Sequence, residues 1–376
     1  MMLHNWSLQL QVNRHVSMRN RHRLFMTICL FGMTAFGFLL GQFEERRLAW
    51  DADRRLLAEF DIQPKSLPAY EGAEAEASAA LGIHFDAATG SGVTFAYDNG
   101  PEDQFHLAET LGGGVGAIDF DGDADFDLVF VDGGNPVEWP SNRTQRVLLF
   151  RCENTLQYRP VAPVSGIAWT GYGHGCSVAD VNNDGFDDLL VTGYQSSAFY
   201  VNQGDGTFEE SDILKKLTGD KWCVTGCWSD LDADGDLDLY IACYADTPRT
   251  LPTPVCESGG IRVHCNPHSY QAVTDLLLEN LGDGDFVDRS NSSGIAAYRE
   301  YGMGGVAADL DRNGTVEIFV ANDGDRNLLF QQTTPWTYEE IALTSGVAFN
   351  GQGETMGSMG VACADFDRNG QLDLLT

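Results

Sequence analysis

The sequence predicts an all-β fold built from repeated four-stranded units, and three observations carry that prediction. An acidic nine-residue pattern recurs five times, most fully in Ser229 to Tyr240 as Ser-Asp-Leu-Asp-Ala-Asp-Gly-Asp-Leu-Asp-Leu-Tyr. Each copy is followed by a β-branched and aromatic run of strand length: Phe126 to Val131, Leu189 to Thr192, Leu237 to Ala242, Val316 to Ala321 and Leu372 to Leu375. First positions of successive copies lie 61, 50, 79 and 56 residues apart, a period that suits one blade of a β-propeller. One blade cannot bury both its faces, so neighbours have to stack. About five blades are expected over residues 82–376, and because the chain stops at Thr376 within the strand after the fifth copy, the ring is expected to be incomplete, a fragment of a longer protein.

Each copy reads as a calcium loop. Counted from Asp230, side-chain oxygens fall at positions 1, 3, 5 and 9, as Asp230, Asp232, Asp234 and Asp238, with Gly235 at position 6. Alternate positions on a tightly curled backbone can face one ion, and a glycine at the sixth supplies the positive φ of the turn. Four carboxylates within nine residues repel one another unless a divalent cation sits among them, and calcium suits a loose set of six to eight oxygens better than magnesium does. The first copy offers Asp119, Asp121, Asp123 and Asp127, with Ala124 where glycine is expected, a departure that sets it apart. The second offers Asp180, Asn182, Asp184 and Asp188 around Gly185. The fourth offers Asp309, Asp311, Asn313 and Glu317 around Gly314, and the fifth Asp365, Asp367, Asn369 and Asp373 around Gly370. Each Asn keeps an oxygen while dropping a charge, so the loops are expected to differ in affinity. Up to five calcium ions are expected.

These loops are not EF-hands. An EF-hand needs a bidentate Glu at position 12 and flanking helices; position 12 here is Phe130, Val191, Ile241, Val320 and Thr376, and strand-like runs follow. The pattern instead resembles the FG-GAP/VCBS repeat, the calcium-loop unit of integrin α-subunit β-propellers. Three further features are similar to the cartilage acidic protein subgroup, whose members often carry an ASPIC/UnbV segment. These are Asn-x-Gly-Asp-Gly-x-Phe at Asn202 to Phe208 and Asn280 to Phe286, the unit-opening Gly166, Gly294 and Gly346, and glycine-rich entry strands such as Gly112 to Gly116 and Gly302 to Gly305. The resemblance covers roughly residues 83–376. It implies seven blades in a full-length relative.

Residues 1–23 carry Arg14, Arg19, Arg21 and Arg23 and no acid, and Leu24 to Leu40 is an apolar run ending at Gly41. Residues 24–41 are expected to form an uncleaved signal anchor, a transmembrane helix with the basic tail cytoplasmic and the rest outside. A cleaved signal peptide and secretion is the alternative. Residues 42–81 read as a stalk, an amphipathic helix over Glu44 to Phe60 and a linker over Gln63 to Ala80.

The long third interval holds an insertion at about Ala245 to Gln271. Cys256 and Cys265 are the first choice for a disulfide stapling it, and Cys223, Cys227 and Cys243 could supply a second. Cys176 and Cys363 read as buried thiols. Cys256, His264, Cys265 and His268 include zinc-type ligands, but their spacing matches no standard finger.

With 55 acidic and 23 basic residues the net charge is −32, which argues against nucleic-acid binding. Acidic pairs such as Asp187 and Asp188 could in principle serve as glycosidase carboxylates, but most acids are accounted for as ligands; no nucleophile elbow occurs, and His84, His106 and His174 are isolated. The expected function is therefore non-catalytic: a membrane-anchored extracellular calcium-binding propeller presenting a face to a protein or glycan. The alternatives are an extracellular polysaccharide-active enzyme and a scaffold for a missing C-terminal region.

Overall fold

The structure is a computed structural model that describes residues 90–376, apart from 101–104, 137–144, 155, 162–164, 249–253 and 283, together with the backbone of a short antiparallel pair, Leu8–Leu10 with Phe85–Ala87. The expected anchor, stalk helix and linker lie outside the described residues. Among the described residues no helix is long and apolar enough to cross a membrane.

Four antiparallel four-stranded sheets follow one another along the chain. The first comprises β1 (Val115–Ile118), β2 (Asp127–Val131), β3 (Val147–Asn154) and β4 (Gln157–Pro160). The second comprises β5 (Tyr172–Ala179), β6 (Asp188–Tyr194), β7 (Ala198–Asn202) and β8 (Phe208–Ser211). The third comprises β9 (Cys223–Ser229), β10 (Asp238–Cys243), β11 (Leu276–Asn280) and β12 (Phe286–Asp288). The fourth comprises β13 (Gly302–Ala308), β14 (Glu317–Asn322), β15 (Leu328–Thr334) and β16 (Thr337–Glu340). A fifth unit contributes β17 (Ala362–Ala364) and β18 (Asp373–Leu375). Every acidic loop joins the first strand of its sheet to the second, and each post-loop strand begins within one residue of its expected start.

The sheets pack face on face in sequence order. On β6, Leu189 and Val191 join Val129 and Leu149 of the first sheet in one apolar cluster, while Leu190 between them joins Leu239, Ile241 and Leu278 of the third. The period-2 alternation of side chains thus feeds both neighbours. Tyr240 and Leu277 continue the series onto Ile318, Val320 and Phe330, and Phe319 and Leu329 onto Val361. Because both faces of β6, β10 and β14 are covered, these strands are buried throughout, with apolar centres at Leu189–Val191, Leu239–Ala242 and Ile318–Ala321.

The glycine-rich entry strands have a steric reason. A Cβ on Gly114 would lie 2.8 Å from Gly175 Cα, and one on Gly175 would lie 2.2 Å from the Val224 carbonyl oxygen, so the first strands of successive sheets approach too closely for side chains.

One short helix was not legible in the sequence. α1 (Asp212–Thr218) follows the second sheet, is capped by Ser211, and buries Leu214 against the third sheet's cluster. The insertion leaves after β10, pairs Ala245–Asp246 with Gln271–Ala272, and carries a hairpin of Cys256–Ser258 and Ile261–Val263 closed by the expected Cys256–Cys265 disulfide. That bond removes both sulfurs from any zinc site. The two histidines face separate carboxylates, His264 Nε2 at 3.4 Å from Glu109 and His268 Nε2 at 3.1 Å from Asp325. Cys223 and Cys243 are buried register partners on β9 and β10 whose thiols meet at 3.5 Å as a hydrogen bond and not a disulfide.

Candidate metal centre

The antiparallel order puts all five acidic loops and the Asn-x-Gly-Asp-Gly-x-Phe hairpins at the same end of the sheets, since both join strands running in the same pair of directions. The loops share one internal scaffold. The first Asp turns its carboxylate back onto the loop and accepts from the backbone N–H of position 6: Ala124 to Asp119 at 2.9 Å, Gly185 to Asp180 at 2.9 Å, Gly235 to Asp230 at 3.1 Å, Gly314 to Asp309 at 3.2 Å and Gly370 to Asp365 at 2.9 Å. Position 6 is left-handed in every loop, as expected, including Ala124 at φ 67°. Position 4 is left-handed too, at Gly122, Asn183, Ala233, Arg312 and Arg368. The first loop has therefore moved its glycine from one left-handed position to the other and keeps the shared geometry.

The ninth-position acid works differently from the rest. Asp127, Asp188, Asp238 and Glu317 are at most 2% exposed. Asp238 accepts from the N–H of Leu231 in its own loop at 2.8 Å and from that of Asn280 on β11 at 2.9 Å. Asp188 does the same with Val181 and Asn202, and Asp127 with Phe120 and Cys152. Burial pushes these carboxyls up, Asp127 and Asp238 to about 7 and Asp188 to about 6, against the pull of the backbone donors. This residue ties loop, second strand and third strand together whether or not it also meets an ion.

Four loops gather three acids whose oxygens lie within 4.8 Å of one another: Asp119, Asp121 and Asp127; Asp230, Asp232 and Asp234; Asp309, Asp311 and Glu317; Asp365, Asp367 and Asp373. The second loop does not, because Asn182 replaces the third-position acid and donates to Asp184 at 3.0 Å. Asp123 stands outside the first cluster and Asp238 outside the third. Asn313 and Asn369 donate to Asp311 and Asp367, each at 3.0 Å. Buried carboxylate oxygens without a hydrogen-bond partner occur in three of the clusters: Asp121 Oδ1, Asp309 Oδ1 with Glu317 Oε1, and Asp365 Oδ1. Convergent acceptors without donors are what a hard divalent cation satisfies, so the residues present fit calcium.

Several site residues could not be found from loop spacing. Asn202 Nδ2 donates to the Phe120 carbonyl in the preceding sheet's loop at 3.0 Å and to Asp187 O in its own at 3.1 Å. Asn280 repeats this with Val181 O at 3.0 Å and Leu237 O at 3.2 Å. Gln332, at the matching register, reaches Leu231 O at 2.9 Å. Each amide thus staples one sheet to the loop before it. The only signal was the Asn of the Asn-x-Gly-Asp-Gly-x-Phe copies. Neighbouring loops also touch directly, through Asp119 N–H to Asp187 at 3.1 Å and Asn183 to Asp236 at 2.8 Å. Asp187 and Asp188 are therefore both engaged by backbone or structural donors, which leaves neither placed as a free acid or base. Arg151 and Trp336 complete the surroundings, with the Trp336 N–H 3.2 Å from Asp232.

A family model described as FG-GAP-like repeat matches residues 180–241 and 309–376, the second-to-third and fourth-to-fifth loop regions. Cartilage acidic protein 1 of Homo sapiens is 24% identical over 265 residues, covering 68% of this chain and 37% of that protein. The Xenopus tropicalis protein of the same name is 22% identical over 292 residues, covering 62% of this chain and 44% of its own length. The chain thus spans well under half of the curated relatives it matches. A solved Agrocybe aegerita lectin, described as recognising non-reducing terminal N-acetylglucosamine, aligns with TM-score 0.36 and 14% identity over 59% of this chain and 49% of its own, a likeness too slight to carry an argument. The repeated loop, its two left-handed positions and these matches agree: the chain carries FG-GAP-like repeats at residues 180–241 and 309–376 and is similar to cartilage acidic protein 1.

Proposed function

We propose that this chain is a non-catalytic calcium-stabilised β-propeller displayed outside the cell, whose end opposite the loops binds a protein or glycan. The observation that carries the calcium reading is Glu317. It is 2% exposed, and its Oε1 has no hydrogen-bond partner while sharing a cluster with Asp309 and Asp311. A buried anionic oxygen without a donor is costly, and a bound cation removes that cost.

A calcium ion would supply charge neutralisation alone. Asp309, Asp311, Asn313 and Glu317, and the corresponding residues of the other loops, would hold it. The chain does the remainder: the first-position Asp shapes the loop, the ninth-position acid ties it to two strands, and the amide staple passes that order to the next sheet. For the ligand-binding end, the disulfide-closed insertion supports the reading, since it presents Val255 and Ile261 at 65% and 52% exposure. Metal content after dialysis of the chelator-stripped full chain against calcium tests the central part. Three or more calcium ions retained per chain is the expected result; retention of none contradicts it.

A further inference from the structure

We propose that one register position on the third strand of a sheet tunes the calcium affinity of the loop it faces, and that Arg151 at this position makes the first loop fill after the fourth, where Gln331 holds the same place. This rests on the calcium reading above. Pairing of Leu128 with Phe150, Leu189 with Tyr200, Leu239 with Leu278 and Ile318 with Phe330 aligns the four sheets. One residue further along the third strand stand Arg151, Val201, Glu279 and Gln331, equivalent in place and carrying different charge.

In the first sheet the Arg151 guanidinium nitrogen Nη2 lies 2.6 Å from Asp121 and 3.2 Å from Asp123, positions 3 and 5 of that loop. In the fourth, Gln331 Nε2 donates to Asp311, position 3 again, at 2.8 Å. In the third, Glu279 is held instead by Arg289 Nη2 at 2.5 Å. The same geometric slot therefore addresses the third ligand position with a cation in the first loop and with an amide in the fourth.

A guanidinium already paired with two loop carboxylates does part of the neutralising that a divalent ion would do. Calcium entering the first loop has to break that pairing or share the carboxylates with a positive neighbour. Glutamine offers only a dipole, which can turn away without leaving a charge behind. The Arg151 side chain is 39% exposed, so water screens the effect without abolishing it, and the difference in affinity is on the order of tenfold. Ala124 takes the same left-handed φ as the glycines at position 6 of the other loops, so the loop geometry is shared.

Hydrogen-exchange mass spectrometry of the full chain, titrated with calcium, reads each loop through its own peptide. The expected result for Arg151→Gln is a midpoint of protection over residues 119–127 about tenfold lower in calcium, with residues 230–238 unmoved. The reciprocal Gln331→Arg should raise the midpoint over residues 309–317 by a similar factor, while Arg151→Lys stays near the parent. If both Arg151→Gln and Gln331→Arg leave their loops unmoved, or shift every loop equally, the tuning role is overturned while the calcium reading stands. If no loop gains protection at any calcium concentration, the calcium reading itself is overturned, and this inference with it.

Discussion

Replacing Asn280 with alanine removes the amide that joins two sheets. Its Nδ2 donates to the Val181 carbonyl in the second loop at 3.0 Å and to the Leu237 carbonyl in the third at 3.2 Å, and its Oδ1 accepts from Gly282 N–H at 3.1 Å. The residue is 1% exposed, so water cannot replace these bonds without local opening. Leaving buried polar groups without this partner costs about 1–3 kcal/mol each, and partial relaxation near the loop brings the expected total to about 3 kcal/mol. For a folded region of this size that corresponds to a fall in melting temperature of about 5 °C. The loss should be of similar size in calcium and in chelator, because the amide bonds backbone and touches no carboxylate ligand. Asn280→Asp, equal in size but unable to donate, should do at least as badly. Melting followed by circular dichroism reads the shift, and a fall below about 1 °C for both variants would refute the staple.

Further outcomes follow from the same geometry. Asp230→Ala combined with Asp234→Ala removes two of the three clustered acids of the third loop and should lower melting temperature in calcium while leaving it nearly unchanged in chelator; equal losses in both would count against ion binding there. Burial pushes the His174 imidazole down to about 4 from an ordinary 6.5. The unfolded chain then binds a proton that the folded chain resists, so stability is full above about pH 6.5 and about 3 kcal/mol is lost as pH falls toward 4. The difference in pH dependence between the parent and His174→Phe, which keeps an aromatic ring against Trp222 at 5.4 Å, isolates this contribution, and parallel curves would exclude it. Reduction of Cys256–Cys265 opens a constraint between residues nine apart, and limited proteolysis should then cut within residues 254–270 while the sheets resist; unchanged cleavage would show that the insertion is held by its other contacts.

The parts of the fold set by local pattern were legible. The loops, their left-handed sixth position and the strands after them follow from residue identity over a dozen positions, and the Cys256–Cys265 bridge from two cysteines alone in an insertion. What escaped were interactions whose partners lie far apart in sequence. Asp238 reads in the sequence as a ligand like Asp230, and what the sequence does not show is that its oxygens also accept from the N–H groups of Leu231 and Asn280, the second of these 42 residues away. Arg151 lies outside any loop pattern and reaches Asp121 only because β3 pairs with β2 in one register. The position-4 left-handed turn was hidden because Asn183, Ala233, Arg312 and Arg368 adopt it without glycine, and only Gly122 in the first loop marks it. The helix α1 was passed over because its seven residues are too few to show a clear apolar period.

The most direct test of calcium-dependent packing is a thermal melt of the full chain at one protein concentration, in calcium, in magnesium and in chelator. Binding to the folded state alone stabilises by about 2.7 kcal/mol per site at a hundredfold excess over the dissociation constant. Three or four occupied loops should then raise the melting temperature by about 10 °C or more in calcium, with magnesium close to chelator. Identical melts in all three conditions would contradict the calcium reading and leave the buried oxygen of Glu317 to be explained by other means.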